Sequence, residues 1–92
     1  MPKRIAVLIT NNFEDQEYLE PVAALLAAHH SVCNIELNAG KVVYGLHGCS
    51  AVTIDRGIEQ ISIDDFDALL IPGGESAVSL STDVRVLQFI HA

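Results

Sequence analysis

Positive charge is scarce in this sequence. Five Lys and Arg face twelve Asp and Glu, for a net charge of −7 with histidine neutral. Nucleic-acid binding depends on Lys and Arg neutralising phosphates, so the balance argues against a nucleic-acid partner. It argues equally against an anionic membrane surface. Long apolar runs are absent too: nothing approaches the roughly 18 uninterrupted apolar residues that span a bilayer. Lys3-Arg4 before the apolar residues 5–9 imitates the start of a signal peptide. The run is too short, however, and polar Thr10, Asn11 and Asn12 stand where a small-residue cleavage site would be. The cytoplasm is the expected compartment. Cysteine is limited to Cys33 and Cys49, with no C-x-x-C and no disulfide framework. Cys33, in "SVCNIEL", reads as an inert core thiol; Cys49 follows Gly48 in a turn and is the more exposed of the two, a redox thiol being its minor reading. The histidines offer no metal-ligand spacing: His29-His30 closes a helix, His47 lies in a Gly-flanked loop, and His91 is near the chain end. No metal and no cofactor is expected.

What is present is apolar sequence. Half the residues are hydrophobic, and the mean hydropathy is +0.35. Ninety-two residues make one domain, 1–92, which buries only about 60–65% of its extended surface. Some apolar surface should stay exposed, and a large exposed patch signals a missing partner surface. The chain is therefore expected to be incomplete or an obligate oligomer. "RIAVLIT" is a nearly continuous apolar run, as in a parallel strand buried on both faces. "EYLEPVAALLAA" has helical spacing, with Tyr18, Val22, Leu25 and Leu26 on one face and a kink expected at Pro21. "SVCNIEL" completes a βαβ unit. Gly40, Gly45 and Gly48 punctuate two short β-branched runs, a hairpin-like excursion. Ser62-x-x-Asp65 is a capping signal. "ALLI" reads as a further buried parallel strand, closed by "PGG". A last helix is expected from an N-cap at Thr82, with Val84, Leu87 and Ile90 sharing an apolar face.

Sites in open α/β sheets form beyond the carboxyl ends of the strands. That rule brings together "NNFEDQE" after the first strand and "PGGES" after Ile71. Acidic side chains in a first helical turn complement the helix dipole, and this suffices for Asp15 and Glu20. Glu14 and Glu17 remain open between solvation and chemistry. Pro-Gly-Gly is a turn at minimum; its N–H groups can also point into open space, as in an oxyanion hole. A dinucleotide site would need G-x-G-x-x-G after the first strand, which is absent. A phosphate site there would be repelled by the carboxylates. A phosphoryl-accepting receiver would need an acceptor Asp where Pro72-Gly73-Gly74 stands.

In order and spacing, "KRIAVLITNNFEDQEYLEP", "IELNAGKVVYGLHG", "VTID" and "FDALLIPGGES" resemble the PfpI family. This is the intracellular-protease-I branch of the ThiJ/PfpI superfamily, with a class I glutamine-amidotransferase-like fold. The resemblance runs from Lys3 to about Phe89. It implies a three-layer αβα fold with a mainly parallel, flavodoxin-like sheet, here the N-terminal part of one such domain. It implies a cysteine hydrolase of the peptidase, glyoxalase or deglycase class, acting on a small aldehyde or a peptide and forming a homo-oligomer. Glu17 would contact the nucleophilic thiol, Glu14 would lie nearby, and Gly73 and Gly74 would give backbone N–H groups to the oxyanion. The family's Cys-His elbow would fall beyond residue 92, so the chain is expected to be inactive alone. The alternative is a non-enzymatic interaction module that pairs through an open sheet edge. His29 replaces the family's usual Gly, and Ser76-Ala77-Val78 lacks the family's proline and acid after the Gly-Gly turn.

Overall fold

The computed structural model describes residues 2–48 and 50–90. The expectation for Cys49 as an exposed thiol, and that for His91, lie outside them. β1 (Arg4–Leu8) runs through the centre of a parallel sheet and is followed by α1 (Asp15–Ala27) and β2 (Ser31–Glu36). A hairpin of β3 (Val42–Tyr44) and β4 (Ala51–Thr53) leads to the short β5 (Arg56–Gly57). Two 3-10 turns, Ile58–Gln60 and Ile63–Asp65, precede β6 (Ala68–Leu70), α2 (Glu75–Ser81) and α3 (Val84–Ile90). The sheet order is β5-β2-β1-β6, all parallel, while β3 and β4 pair antiparallel.

Period-two alternation in β1 gives each face of the sheet its own core. Val7 and Ile9 join Phe13, Tyr18, Val22, Val43, Val52 and Ile54 beneath α1 and the hairpin. Ala6 and Leu8 join Ile35, Ile58, Leu80, Val86 and Phe89 on the face that carries α2 and α3. This is the expected αβα layering, and the apolar run of β1 is explained by burial on both sides. Ser62 caps its 3-10 turn as expected, accepting from Asp64 N while Asp65 accepts from Ser62 N.

Four expectations need correction. β6 is only half-buried, because among the described residues it is an edge strand with a neighbour on one side, β1. Leu26 is 54% exposed: α1 lays only the Tyr18–Val22 stripe on the core. α3 buries Val86 and Phe89 and leaves Val84 and Leu87 in solvent, since its contacts are with the Ile58–Gln60 turn and α2. Thr82 closes α2, and the start of α3 is capped by Asp83, whose Oδ1 accepts from Arg85 N at 2.8 Å. α2 itself was not anticipated. α1 passes through Pro21 as one helix; the proline removes a single bond to the Glu17 carbonyl. The helix ends with paired bonds from His29 N to Leu26 O and from His30 N to Leu25 O, and His29 takes the left-handed conformation at φ 67°.

Candidate functional site

The site grows from the exit of β1. Asn12 sits at φ 65°, a left-handed value that Asn tolerates better than most residues, and it turns the chain sharply. Phe13 is then fully buried and bridges in two directions, parallel to Gly45 and antiparallel to Gly74. On the hairpin side, Asn12 N donates to Tyr44 O at 2.8 Å, Tyr44 N to Asn11 Oδ1 at 3.0 Å, and Leu46 N to Phe13 O at 2.8 Å. On the other side, Glu14 N donates to Gly73 O at 2.9 Å and Thr10 N to Ser76 Oγ at 2.9 Å. Residues 10–15 are thus stitched to two segments far along the chain.

Three acidic side chains follow, in three environments. Glu17 Oε1 accepts from the Gly73 N–H at 2.9 Å, so the acidic turn and the Gly-Gly turn meet directly. Glu14 Oε1 lies 3.1 Å from His47 Nε2, both groups being partly exposed. Asp15, read from sequence as a solvated dipole partner, is instead 2% exposed. The tip of the hairpin covers it: Ser50 Oγ donates to Oδ2 at 2.6 Å and His47 N to Oδ1 at 2.9 Å. These bonds, that of Ser50 first, hold the Asp15 carboxyl below its ordinary value against the opposing effect of burial. Glu20 is exposed, as a solvating residue would be.

The glycines are placed by close approach. A Cβ at Gly73 would stand 2.5 Å from Glu17 Oε1. One at Gly74 would stand 2.8 Å from Asn12 O and 3.0 Å from Glu14 N, on a backbone at φ 89°. One at Gly45 would overlap the Asp15 carboxyl. The Gly73 N–H, expected to stay open for an oxyanion, is occupied by Glu17; among the described residues nothing accepts from the Gly74 N–H. A cleft of about 590 Å³ opens beside Glu17, walled by Gln16, Glu20, Pro21, Leu70, Ile71 and Pro72.

Sequence reasoning placed Glu14, Glu17, Gly73 and Gly74 together and missed Asp15, His47 and Ser50. The only signal for the last two was their setting, polar side chains between glycine-marked hairpin runs. One donor atom each from Glu14, Asp15 and His47 lies within 4.8 Å of the others, a grouping that histidine spacing did not disclose. Asp15 already uses both oxygens there. Cys33 is partly buried in β2 and lines a pocket with Arg4, Ser31 and Phe66, away from Glu17. Burial first, and the Asp55 charge second, push its thiol up. No helix of the described residues is long and apolar enough to cross a membrane.

A family model described as the DJ-1/PfpI family matches residues 3–92. General stress protein 18 of Bacillus subtilis is 48% identical over 92 residues, covering 100% of this chain and 54% of that protein. Another Bacillus subtilis protein, YraA, whose name marks it as a candidate cysteine protease, is 51% identical over 92 residues, with the same coverages. Protein/nucleic acid deglycase 2 of Escherichia coli is 47% identical over 89 residues, covering 97% of this chain and 52% of that protein. The chain spans about half the length of the curated relatives it matches. Among solved structures, a two-domain Anabaena variabilis protein with DJ-1/ThiJ/PfpI-like and ferritin-like domains superposes with TM-score 0.91 at 25% identity, over 97% of this chain and 26% of that one. The VC2308 protein gives TM-score 0.83 at 29% identity, over 100% of this chain and 47% of that one.

Proposed function

The chain belongs to the DJ-1/PfpI family, and from that premise we propose that it carries the acid and oxyanion half of a thiol-dependent hydrolase or deglycase site. The single observation behind this reading is the 2.9 Å bond from Gly73 N to Glu17 Oε1, which joins two motifs 56 residues apart at the carboxyl edge of the sheet. In the proposed reaction a thiol sulfur attacks a carbonyl carbon of a small aldehyde or a peptide, and the C=O π pair moves onto oxygen. Glu17 takes the thiol proton and returns it to the leaving group or the alkoxide. The Gly74 N–H receives the oxyanion, with Gly73 joining when Glu17 swings toward sulfur. The names of the deglycase and YraA relatives fit this class.

Cys33 does not serve as the nucleophile: its thiol is pushed up, and it lines a different pocket from Glu17. We propose that the 92-residue chain is inactive alone, in the cytoplasm of its host, and that it needs a nucleophile from outside the described residues. The test is methylglyoxal consumption and peptide hydrolysis by the purified chain. Background-level turnover is expected. Robust turnover that survives replacement of both Cys33 and Cys49 by Ser would refute the missing-nucleophile reading.

A second reading, pairing of two copies through an open edge, is favoured by one observation. β6 has no partner on its outer side among the described residues, and beside it runs an apolar trough of about 450 Å³ between Ala24, Leu25, Ala28, Leu69 and Leu70. Ile71, at its end, is 40% exposed. Sedimentation equilibrium of the purified chain tests this: a dimer supports pairing, and a monomer at high concentration rules it out.

A further inference from the structure

We infer that Asp15 is the positioning residue of this site: its carboxylate clamps the tip of the β3–β4 hairpin and thereby sets the His47 imidazole against Glu14. The inference deepens the functional reading above and rests on it for its catalytic meaning, but the geometry can be tested without catalysis.

An acid that merely complements a helix dipole can stay in water. Asp15 does not; it is almost wholly buried, a costly position for a carboxylate unless donors compensate it. The compensation comes from two points on one loop. His47 N reaches Oδ1 and Ser50 Oγ reaches Oδ2, so the carboxylate spans the turn from residue 47 to residue 50. That turn is closed by its own bonds, Gly45 N to Ser50 O at 3.0 Å and Gly48 N to Gly45 O at 3.1 Å. Gly45 completes the fit, because any side chain there would occupy the place of the Asp15 carboxyl. The loop is built around this one group.

His47 is the residue whose backbone the clamp holds, and its ring reaches Glu14 Oε1 at 3.1 Å. An ion pair or hydrogen bond between two partly exposed side chains is worth little by itself, at most about 1 kcal/mol, and does not organise a loop. The causal order therefore runs from Asp15 to His47 to Glu14. Asp15 touches none of the proposed reacting atoms; it acts by fixing which neighbour Glu14 has. The clamp also accounts for the nearness of the three donor atoms without a cation.

The experiment uses the 92-residue chain and reads the ¹⁵N shift of His47 Nε2 by NMR, with dispersed core methyl signals as the control for folding. The quantity compared is the change that Glu14→Gln causes in that shift, in four backgrounds. The parent chain should show a clear change. Asp15→Asn should retain most of it, since the amide carbonyl can accept from His47 N–H and the amide N–H₂ can donate to Ser50 Oγ. Asp15→Ala should abolish it while the core signals stay native. Ser50→Ala, which removes one arm of the clamp, should reduce it. A full response in Asp15→Ala overturns the inference. If Asp15→Ala does not fold, an undiminished response in Ser50→Ala overturns it instead. Loss of the response in Asp15→Ala, together with robust turnover by a chain lacking both Cys33 and Cys49, would refute the functional reading and leave the clamp standing.

Discussion

Adjacent glycines at the Gly-Gly turn should respond very unequally to the same substitution. In Gly74→Ala the new methyl meets backbone, 2.8 Å from Asn12 O and 3.0 Å from Glu14 N, neither of which can move without dragging the exit of β1. The residue also lies at φ 89° and ψ −165°, a region nearly reserved for glycine and costing about 1–3 kcal/mol for other residues. Relief of the clash breaks the Glu14 N to Gly73 O and Ser76 N to Asn12 O bonds, worth about 1 kcal/mol each. The loss is about 3–5 kcal/mol, against about 5–14 kcal/mol for a domain of this length. In Gly73→Ala the methyl meets only the end of the Glu17 side chain, and φ is not positive there. The carboxylate swings out and loses one solvent-accessible bond, about 1 kcal/mol, offset in part by about 0.4–1 kcal/mol from the stiffer unfolded chain. Thermal melts followed by circular dichroism should show Gly74→Ala lowered by about 12 °C or more and Gly73→Ala within a few degrees of the parent. Equal losses, or a larger loss for Gly73→Ala, would refute the argument that backbone contact at Gly74 and side-chain contact at Gly73 are what matter.

Lys41→Met should cost about 1–2 kcal/mol in urea titrations, below the 3–5 kcal/mol of a fully buried pair because Lys41 is partly exposed. Glu36 is almost wholly buried, and its Oε2 has only the Lys41 ammonium at 3.0 Å, a charge contact without hydrogen-bond alignment; adding Glu36→Gln should recover part of the loss. Asp15 and Asp83 both have lowered carboxyl values in the folded chain, so each adds stability above its unfolded value that is lost as pH falls through the folded one. Melting temperature should therefore drop on acidification below about pH 4, less steeply in Asp15→Asn; an unchanged slope would remove Asp15 from the explanation. His29→Gly should stabilise the chain by about 1 kcal/mol, because a left-handed C-terminal position is filled by a residue with a Cβ; a lower melting temperature would contradict it. In a Cys49→Ser background, Cys33 should react with iodoacetamide more slowly at pH 7 than it does in urea, and equal rates would show that burial does not govern the thiol.

β1 was readable because both its faces are buried, which writes an unbroken apolar run into the sequence. The hairpin was readable from glycines flanking β-branched runs. α2 was not: "ESAVSLS" is seven residues with three serines, and its first cap is Gly74, which supplies no side-chain signal. In α3 the sets Val84/Leu87 and Val86/Phe89 have the same spacing, so periodicity alone cannot choose the buried one; contact with the Ile58–Gln60 turn does. The meeting of Glu17 with Gly73 was accessible through the rule for strand ends together with the family resemblance. Asp15 was invisible as a buried group, because its partners lie 32 and 35 residues away and nothing local distinguishes it from its solvated neighbours.

The geometry of the candidate site and the stability of the fold are carried here by the same bonds. The turn after β1 cannot reach the hairpin without the Phe13–Gly45 bridge, nor the Gly-Gly turn without the Phe13–Gly74 bridge, and Phe13 itself is wholly buried. Glu14, Asp15 and Glu17 then leave this anchored stretch in three directions, toward His47, Ser50 and Gly73. A carboxylate on a free loop would lose its aim to side-chain and backbone entropy, whereas one that follows a doubly bridged, buried aromatic has little left to lose. Substitutions within residues 12–17, 45–48 and 73–76, or at Ser50, therefore act on one connected network, and their effects should not add. That coupling also explains why three separate glycines are needed. Each marks a place where another segment must come within van der Waals distance of the acidic turn, and a side chain at any of them would push one acid out of position.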